Sequence, residues 1–245
     1  IDIIPETDQS IASCIDITER KQAEESLARQ LRFEKAAAAV SKRLLSVEIS
    51  EASVNDALAH LLEASGVSRV YIFQNFDDPD DGLCLRQIFE TCAQGVPSEL
   101  ENPLLQHLSY SQGFERWRET MSRGNPIQGD VVQFPHQERD ILESQGIVSI
   151  LALPIFVEGR WWGFIGFDET RQPHNWVDME VALLRTVAEM LGGFFARKQF
   201  EEVLEASERR FREILQNVAT VAVQGYDMDG TVRYWNRASE TFYGY

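Results

Sequence analysis

The sequence is short of cysteine, of histidine, of positive charge and of long apolar runs. Three cysteines in 245 residues form an odd number without metal-binding spacing. Cys84 and Cys92 fall on one extended stretch, about 26 Å apart at about 3.3 Å per residue, which is out of disulfide reach. Reduced thiols in a cytoplasmic protein are the simplest expectation. Lys and Arg number 23 against 39 Asp and Glu, giving a net charge of −16 and a pI near 4.7. That balance argues against a nucleic-acid partner and against contact with an anionic membrane surface, since both need clustered cations. No apolar run approaches about 18 residues, so no membrane-spanning helix is expected. The opening IDIIPETDQS lacks the basic and apolar regions of a signal peptide. Neither a P-loop nor a GxSxG elbow occurs. The four histidines, His60, His107, His136 and His174, are scattered. No catalytic residue and no metal set is expected.

What the chain does have is 44% hydrophobic residues, enough for a real core, and an internal repeat. RKQAEESL at 20–27 returns as RKQFEEVL at 197–204 with six of eight positions identical. Both copies sit in Pro-free, charge-rich stretches that read as helix. The first is expected from Thr18, a plausible N-cap, to Val47. Its Phe33, Ala37, Val40, Leu44 and Val47 follow the 4-3-4-3 spacing of a coiled-coil seam. The second is expected over 177–216, with Phe200, Leu204, Ser207, Phe211 and Ile214 in the same spacing. Gly192-Gly193 interrupts it and predicts either a kink or a close helix approach.

Between these helices the pattern is mixed. Ser53 is the expected cap of VNDALAHLLEASG, which stops at Gly66. VSRVYIFQNF and LCLRQIFETC read as two strands joined by DDPDDG. Residues 95–147 read as polar segments with short helices. IVSILALPIFV, EGR and WWGFIGFDE then form a hairpin of near-continuous apolar strands. Such strands predict an α+β fold: an antiparallel sheet with helices on both faces, flanked by long N- and C-terminal coiled-coil helices. Pro154 predicts an edge or a bulge.

Residues 30–198 resemble a GAF domain of the kind found between PAS domains in bacterial multidomain sensors. Gly146, Ile147, Ser149, Leu151, Pro154 and Ile155, the GRWWGFIGFDE strand and Trp176 carry the likeness. CIDITERKQAEESL looks like the last strand and exit helix of a PAS domain, with Asp16-Ile17-Thr18 as its signature. ERRFREILQNVATVAVQGYDMDGTVRYWNRASETFYGY looks like the opening of another, with Asp229-Gly230 as a hairpin turn. The expected layout is a PAS end at 1–17, a linker helix at 18–30, GAF at 31–198, a signalling helix at 199–212 and a truncated PAS start at 213–245. The chain is thus expected to be a fragment cut within a PAS domain. Residues 10–17 and 220–235 would be left as strand remnants with open edges.

The resemblance implies a sensory role and a parent protein of histidine kinase or diguanylate cyclase type. This chain has neither a GGDEF-like loop nor a phosphoacceptor helix. The heptad seams and the duplicated linker predict a homodimer through the long helices, with Asp16, Thr18, Phe200, Leu204 and Phe211 as signal-relay positions. Relatives hold small molecules against the sheet, so Tyr71, Phe73, Phe89, Trp117, Phe134, Trp162 and Phe164 are the candidate pocket. The same aromatics could simply fill a core. The ligand stays unknown, and no cofactor is required. The Phe167-Asp168-Glu169 match to a cyclic-nucleotide signature lacks its lysine, and residues 95–147 offer no cysteine for a bilin. His107 or His136 would have to serve haem. Glu115, Arg116, Arg118 and Glu119 around Trp117 read as a polar site or as a surface ion-pair helix. The acidic turn Asp77–Gly82 departs from a calcium loop. A ligand-free spacer and a haem or redox sensor are the alternatives to ligand sensing.

Overall fold

Aromatic and branched residues on both sides of four extended stretches leave them no stable place except the middle of a covered sheet. In the computed structural model, which describes residues 2–3, 10–11, 17–46, 50–218 and 220–244, they form its centre. The elements in chain order are β1 (Asp2–Ile3), β2 (Ser10–Ile11), α1 (Thr18–Leu44), α2 (Glu51–Ser65), β3 (Arg69–Asp78) and β4 (Gly82–Cys92). They continue as β5 (Leu108–Ser109), α3 (Glu115–Met121), β6 (Ile127–Asp130), α4 (His136–Ser144), β7 (Ser149–Val157) and β8 (Arg160–Glu169). Last come α5 (Asp178–Asn217), β9 (Gln224–Tyr226), β10 (Val232–Trp235) and α6 (Arg237–Tyr243). Two compact units result, Ile1–Gly192 and Gly193–Tyr245, with α5 belonging to both.

In the first unit a six-stranded antiparallel sheet runs β5-β4-β3-β8-β7-β6. This is the expected α+β architecture, with α2 packed against β3 and β4 and the short helices of 95–147 on the opposite face. Pro154 sits in β7 beyond the reach of β6, whose pairing stops at Ala152. One side of the strand is therefore an edge there, and the missing N–H costs no ladder bond.

Local details differ from the sequence reading. Thr18 is the first helical residue of α1 rather than its cap, and Ile17 holds the cap position. α2 starts three residues early, at Glu51 behind Ser50, so Ser53 lies inside the helix. The expected seam of α1 is used within the chain, with one change. Phe33, Val40 and Leu44 are buried where α1 lies along α2, but Ala36 is buried in place of the half-buried Ala37, and Leu27 and Leu31 are the exposed large apolar residues of the helix. Asp16 and Val47 lie outside the described residues. An ion pair ties the two long helices within this unit. Arg29 of α1 reaches both carboxylate oxygens of the fully buried Glu180 in the first turn of α5, at 2.7 Å to Oε2. Its guanidinium also meets His174 Nε2 and the Asn175 carbonyl, each at 3.2 Å.

In the second unit β9 and β10 pair with each other and with no other strand among the described residues, so their outer edges stay open as expected. Asn236, fully buried, ties this hairpin to its neighbouring backbone. Its amide donates to the carbonyls of Leu215 (3.0 Å) and Val221 (2.8 Å). Its Oδ1 accepts from the N–H groups of Val223 (2.9 Å) and Ser239 (3.0 Å), the latter capping α6. At the chain start β1 and β2 pair with each other, while residues 12–16 are outside the described set.

The Gly192-Gly193 pair is a close approach. A Cβ on Gly192 would lie 2.2 Å from the Phe156 carbonyl oxygen, whereas one on Gly193 would meet nothing within 4 Å. Gly192→Ala is therefore expected to cost about 2 kcal/mol. Gly193→Ala should stabilise by up to about 1 kcal/mol through helix propensity. Urea unfolding followed by tryptophan fluorescence measures both.

Candidate functional site

Strand alternation sends Arg69, Tyr71 and Phe73 of β3 to one face of the sheet, opposite α2. Register places Asp168, Gly166 and Phe164 of β8 beside them in three successive rows. Two bulges decide what joins this face. Between Ile72 and Phe73 the partner on β4 jumps from Phe89 to Gln87. Gln87 and Glu90 thus stand with Phe73 and Tyr71, and Phe89 turns to the α2 side. On β8 Trp162 is the extra residue opposite the Ile155/Phe156 step. Trp161, rather than Trp162, packs on this face, its ring 5.2 Å from that of Tyr110.

These side chains and the segment 95–147 enclose a cavity of about 40 Å³. Tyr71, Phe73, Trp117 and Phe164 line it, with Phe73 stacked on Phe164 at 5.0 Å and Trp117 edge-on to Phe164 at 5.7 Å. Leu85, Leu105, Phe114, Leu142 and Ile147 complete the apolar wall. Phe134 belongs to the same core but lies off the cavity, packed on Gly129 and under the Arg116 guanidinium at 5.0 Å. Phe89 and Trp162 are also off it.

Of the polar residues of the wall, the sequence reading named only Asp168, in the cyclic-nucleotide match that lacks its lysine. Arg69 is 1% exposed, and its Nη2 donates to the Gln145 carbonyl at 3.0 Å. Asp168 stands 3.6 Å from that nitrogen, and Glu99 is 3.7 Å from Nη1. Gly166 lets the Tyr71 ring lie flat across β8, since a Cβ there would be 2.3 Å from the ring. From that position Tyr71 Oη donates to Asp168 Oδ1 at 2.7 Å. Burial pushes the Asp168 carboxyl up to about 7, against the opposing pull of Arg69 and Tyr71. Tyr71 is raised too, chiefly by burial and next by Asp168. A signal for these residues did exist. Arg69 and Asp168 interrupt apolar strands at the same parity as Tyr71 and Phe164, where a solvated charge has no place.

The short helices close the cavity through a second buried acid. Glu138, 1% exposed on α4, accepts from Trp117 Nε1 at 2.8 Å and from Arg116 Nε at 2.8 Å. Arg116 and Trp117 thus converge on Glu138, where the sequence had suggested a site among the neighbouring charges of α3. Glu138 fixes the Trp117 wall.

The histidines proposed for haem lie elsewhere. His107 Nε2 is 3.0 Å from Asp81 Oδ2 and 3.8 Å from Asp78 Oδ2. These three ligating atoms lie within 4.8 Å of one another at the β3–β4 turn, where Asp78 Oδ1 already accepts from the N–H groups of Asp80 and Asp81. His136 is exposed and pairs with Asp140 at 2.8 Å. A tetrapyrrole does not fit the residues present: the cavity of about 40 Å³ has neither cysteine nor histidine in its wall. Benzene already takes a cavity of about 150 Å³.

Known proteins place this arrangement. A family profile described as GAF domain matches residues 51–193. The methanogenesis regulatory histidine kinase FilI of Methanothrix harundinacea is 37% identical over 83% of this chain, and the match covers 23% of that protein. The chain spans about a quarter of the curated relatives it matches. The phycoerythrobilin-bound GAF domain of a cyanobacterial phytochrome superposes with a TM-score of 0.57 at 17% identity, over 69% of this chain and 96% of that one. A domain of a putative two-component sensor histidine kinase from Sinorhizobium meliloti gives 0.50 at 21% identity, over 64% and 99%. At these identities the superpositions establish the fold alone.

Asp168 carries a proton in the folded chain over a range where the unfolded chain, with an ordinary Asp at about 3.8, has lost it. Its contribution to stability is therefore full below about pH 4, falls as pH rises to about 7, and is level above. The loss is on the order of 4 kcal/mol. Asp168→Asn is expected to flatten this part of the profile. Urea midpoints between pH 4 and 8 measure it.

Proposed function

The chain belongs to the GAF domain family, and we propose that it serves as the non-catalytic sensing and relay part of a larger cytoplasmic signalling protein of histidine kinase type. Similarity to the FilI kinase supports that parentage over a diguanylate cyclase. In this reading the cavity holds a small molecule and α5 passes its occupancy onward. The supporting observation is an unpartnered stripe on α5. Phe200, Leu204, Phe211 and Ile214 are 69%, 49%, 62% and 58% exposed and keep 4-3-4-3 spacing with Ser207. Four large apolar residues at heptad positions fit a second copy of the same helix. The proposed state is a dimer seamed by α5, with relay by a change between two helix packings close in free energy. α1 has spent its seam on α2, so Leu27 and Leu31 would be its only contribution.

The flanking segments fit PAS remnants. The Asp229-Gly230 turn, the buried Asn236 and α6 form the start of such a unit, and the proposed layout keeps GAF at 31–198 with linkers at 18–30 and 199–212. A ligand-free spacer is the alternative, favoured by the small cavity and by aromatics already stacked on one another.

Sedimentation equilibrium tests the relay geometry. The chain is expected to dimerise at micromolar concentration, and Phe211→Glu should weaken the dimer on the order of 100-fold by putting a charge in the seam. Near-UV dichroism should be unchanged. A monomer at high micromolar concentration would remove α5 as the relay.

A further inference from the structure

Away from the cavity, the β3–β4 turn brings an imidazole against two carboxylates from a different part of the chain. His107 Nε2 lies 3.0 Å from Asp81 Oδ2 and 3.8 Å from Asp78 Oδ2. The thiol of the buried Cys84 stands behind it, with Sγ 3.7 Å from the same nitrogen. A neutral imidazole carries at most one hydrogen on that atom, so it can serve only one of the two carboxylates. No Lys or Arg pairs with Asp78 or Asp81 among the described residues, and Asp77 and Asp80 add further negative charge to the turn.

The three side chains are held in place by their surroundings. Asp78 Oδ1 accepts from the N–H groups of Asp80 and Asp81, so Oδ2 is the oxygen turned to His107. Directly after His107, β5 pairs Leu108 with Leu85 and Ser109 with Cys84, and Ser109 Oγ donates to the Asp81 carbonyl at 2.8 Å. The Phe76 ring stands edge-on to the imidazole at 5.4 Å and fixes its plane.

Ligand chemistry selects the ion. Calcium and magnesium take all-oxygen shells, whereas imidazole with carboxylate suits zinc and its neighbours. Zinc bonds of about 2.0–2.2 Å put tetrahedral ligand atoms roughly 3.4 Å apart. The separations of 3.0 and 3.8 Å bracket that spacing, and all three ligating atoms lie within 4.8 Å of one another. The His107 and Asp81 side chains are 45% and 47% exposed, so water can complete the shell.

We infer that Asp78, Asp81 and His107 bind a divalent transition ion of the zinc type, through Nε2 and one oxygen of each carboxylate. His107 stands between Leu105 and Leu108, two residues of the cavity wall. The ion thus staples that wall segment to the β3–β4 turn, whether or not the cavity receives a ligand.

Zinc chloride titrated into the chelator-treated full chain tests this by calorimetry, beside calcium and magnesium chloride, with the imidazole nitrogens followed by NMR. One zinc per chain is expected, at least about tenfold tighter than calcium or magnesium. The His107 Nε2 signal should move, and the signals of His136, which pairs with Asp140 on α4, should stay in place. His107→Gln and Asp81→Asn should each weaken zinc at least about tenfold, and His136→Gln should leave it unchanged. The His107 signal in the unsubstituted chain tests the inference even if a variant does not fold. Calcium or magnesium binding as tightly as zinc would reduce the turn to an acidic patch and overturn the inference. Zinc that leaves the His107 Nε2 signal in place, or no saturable zinc binding, would overturn it as well.

Discussion

An arginine held out of water is the constraint around which the GAF sheet is organised. Arg69 opens β3 inside the protein, and a guanidinium cannot be neutralised there as a lysine could. Its charge must be answered by its surroundings. Asp168 comes from β8, Glu99 from the segment after β4, and the Gln145 carbonyl from the end of α4. Three parts of the chain far apart in sequence are thereby fixed at one end of the cavity. Removing any of these partners leaves a buried charge short of compensation, which costs far more than a surface ion pair returns.

The next consequences are steric. Tyr71 can reach Asp168 only because residue 166 is glycine, and the ring then becomes part of the cavity floor. On the opposite wall Glu138 performs the matching task for Trp117, with Arg116 as its counter-ion. The cavity wall is thus mostly apolar, with a polar end where buried ions hold the secondary structure together.

Much of the fold was legible in the sequence because hydrophobic period and turn chemistry are local. The two hairpins, the covered sheet and both long helices follow from apolar runs and from glycine and acidic turns. Pro154 could be placed because its missing N–H has only a few tolerable sites. The seam of α1 was misread because heptad spacing does not say whether its partner is another chain or the helix that follows. In this chain it is α2. Tyr71, Phe73, Trp117 and Phe164 come together in the wall, but Phe89 and Trp162 do not. One-residue bulges reverse strand parity, and no residue type announces them. Arg69 and Gln87 lie outside the aromatic pattern that marked the pocket, and Asp168 entered only in a cyclic-nucleotide match that lacks its lysine. Buried charge, which marks the site more sharply, depends on long-range pairing that a single sequence does not display.

The Asp168 carboxyl carbon, followed by NMR from pH 3 to pH 9 in the folded chain, tests the buried network most directly. The account predicts a single titration near pH 7, the position set by burial and moderated by Arg69 and Tyr71. A midpoint near the ordinary value of about 4 would mean that burial does not outweigh the pull of Arg69 and Tyr71 on this carboxyl. That result would contradict a carboxyl governed by its burial in the cavity wall.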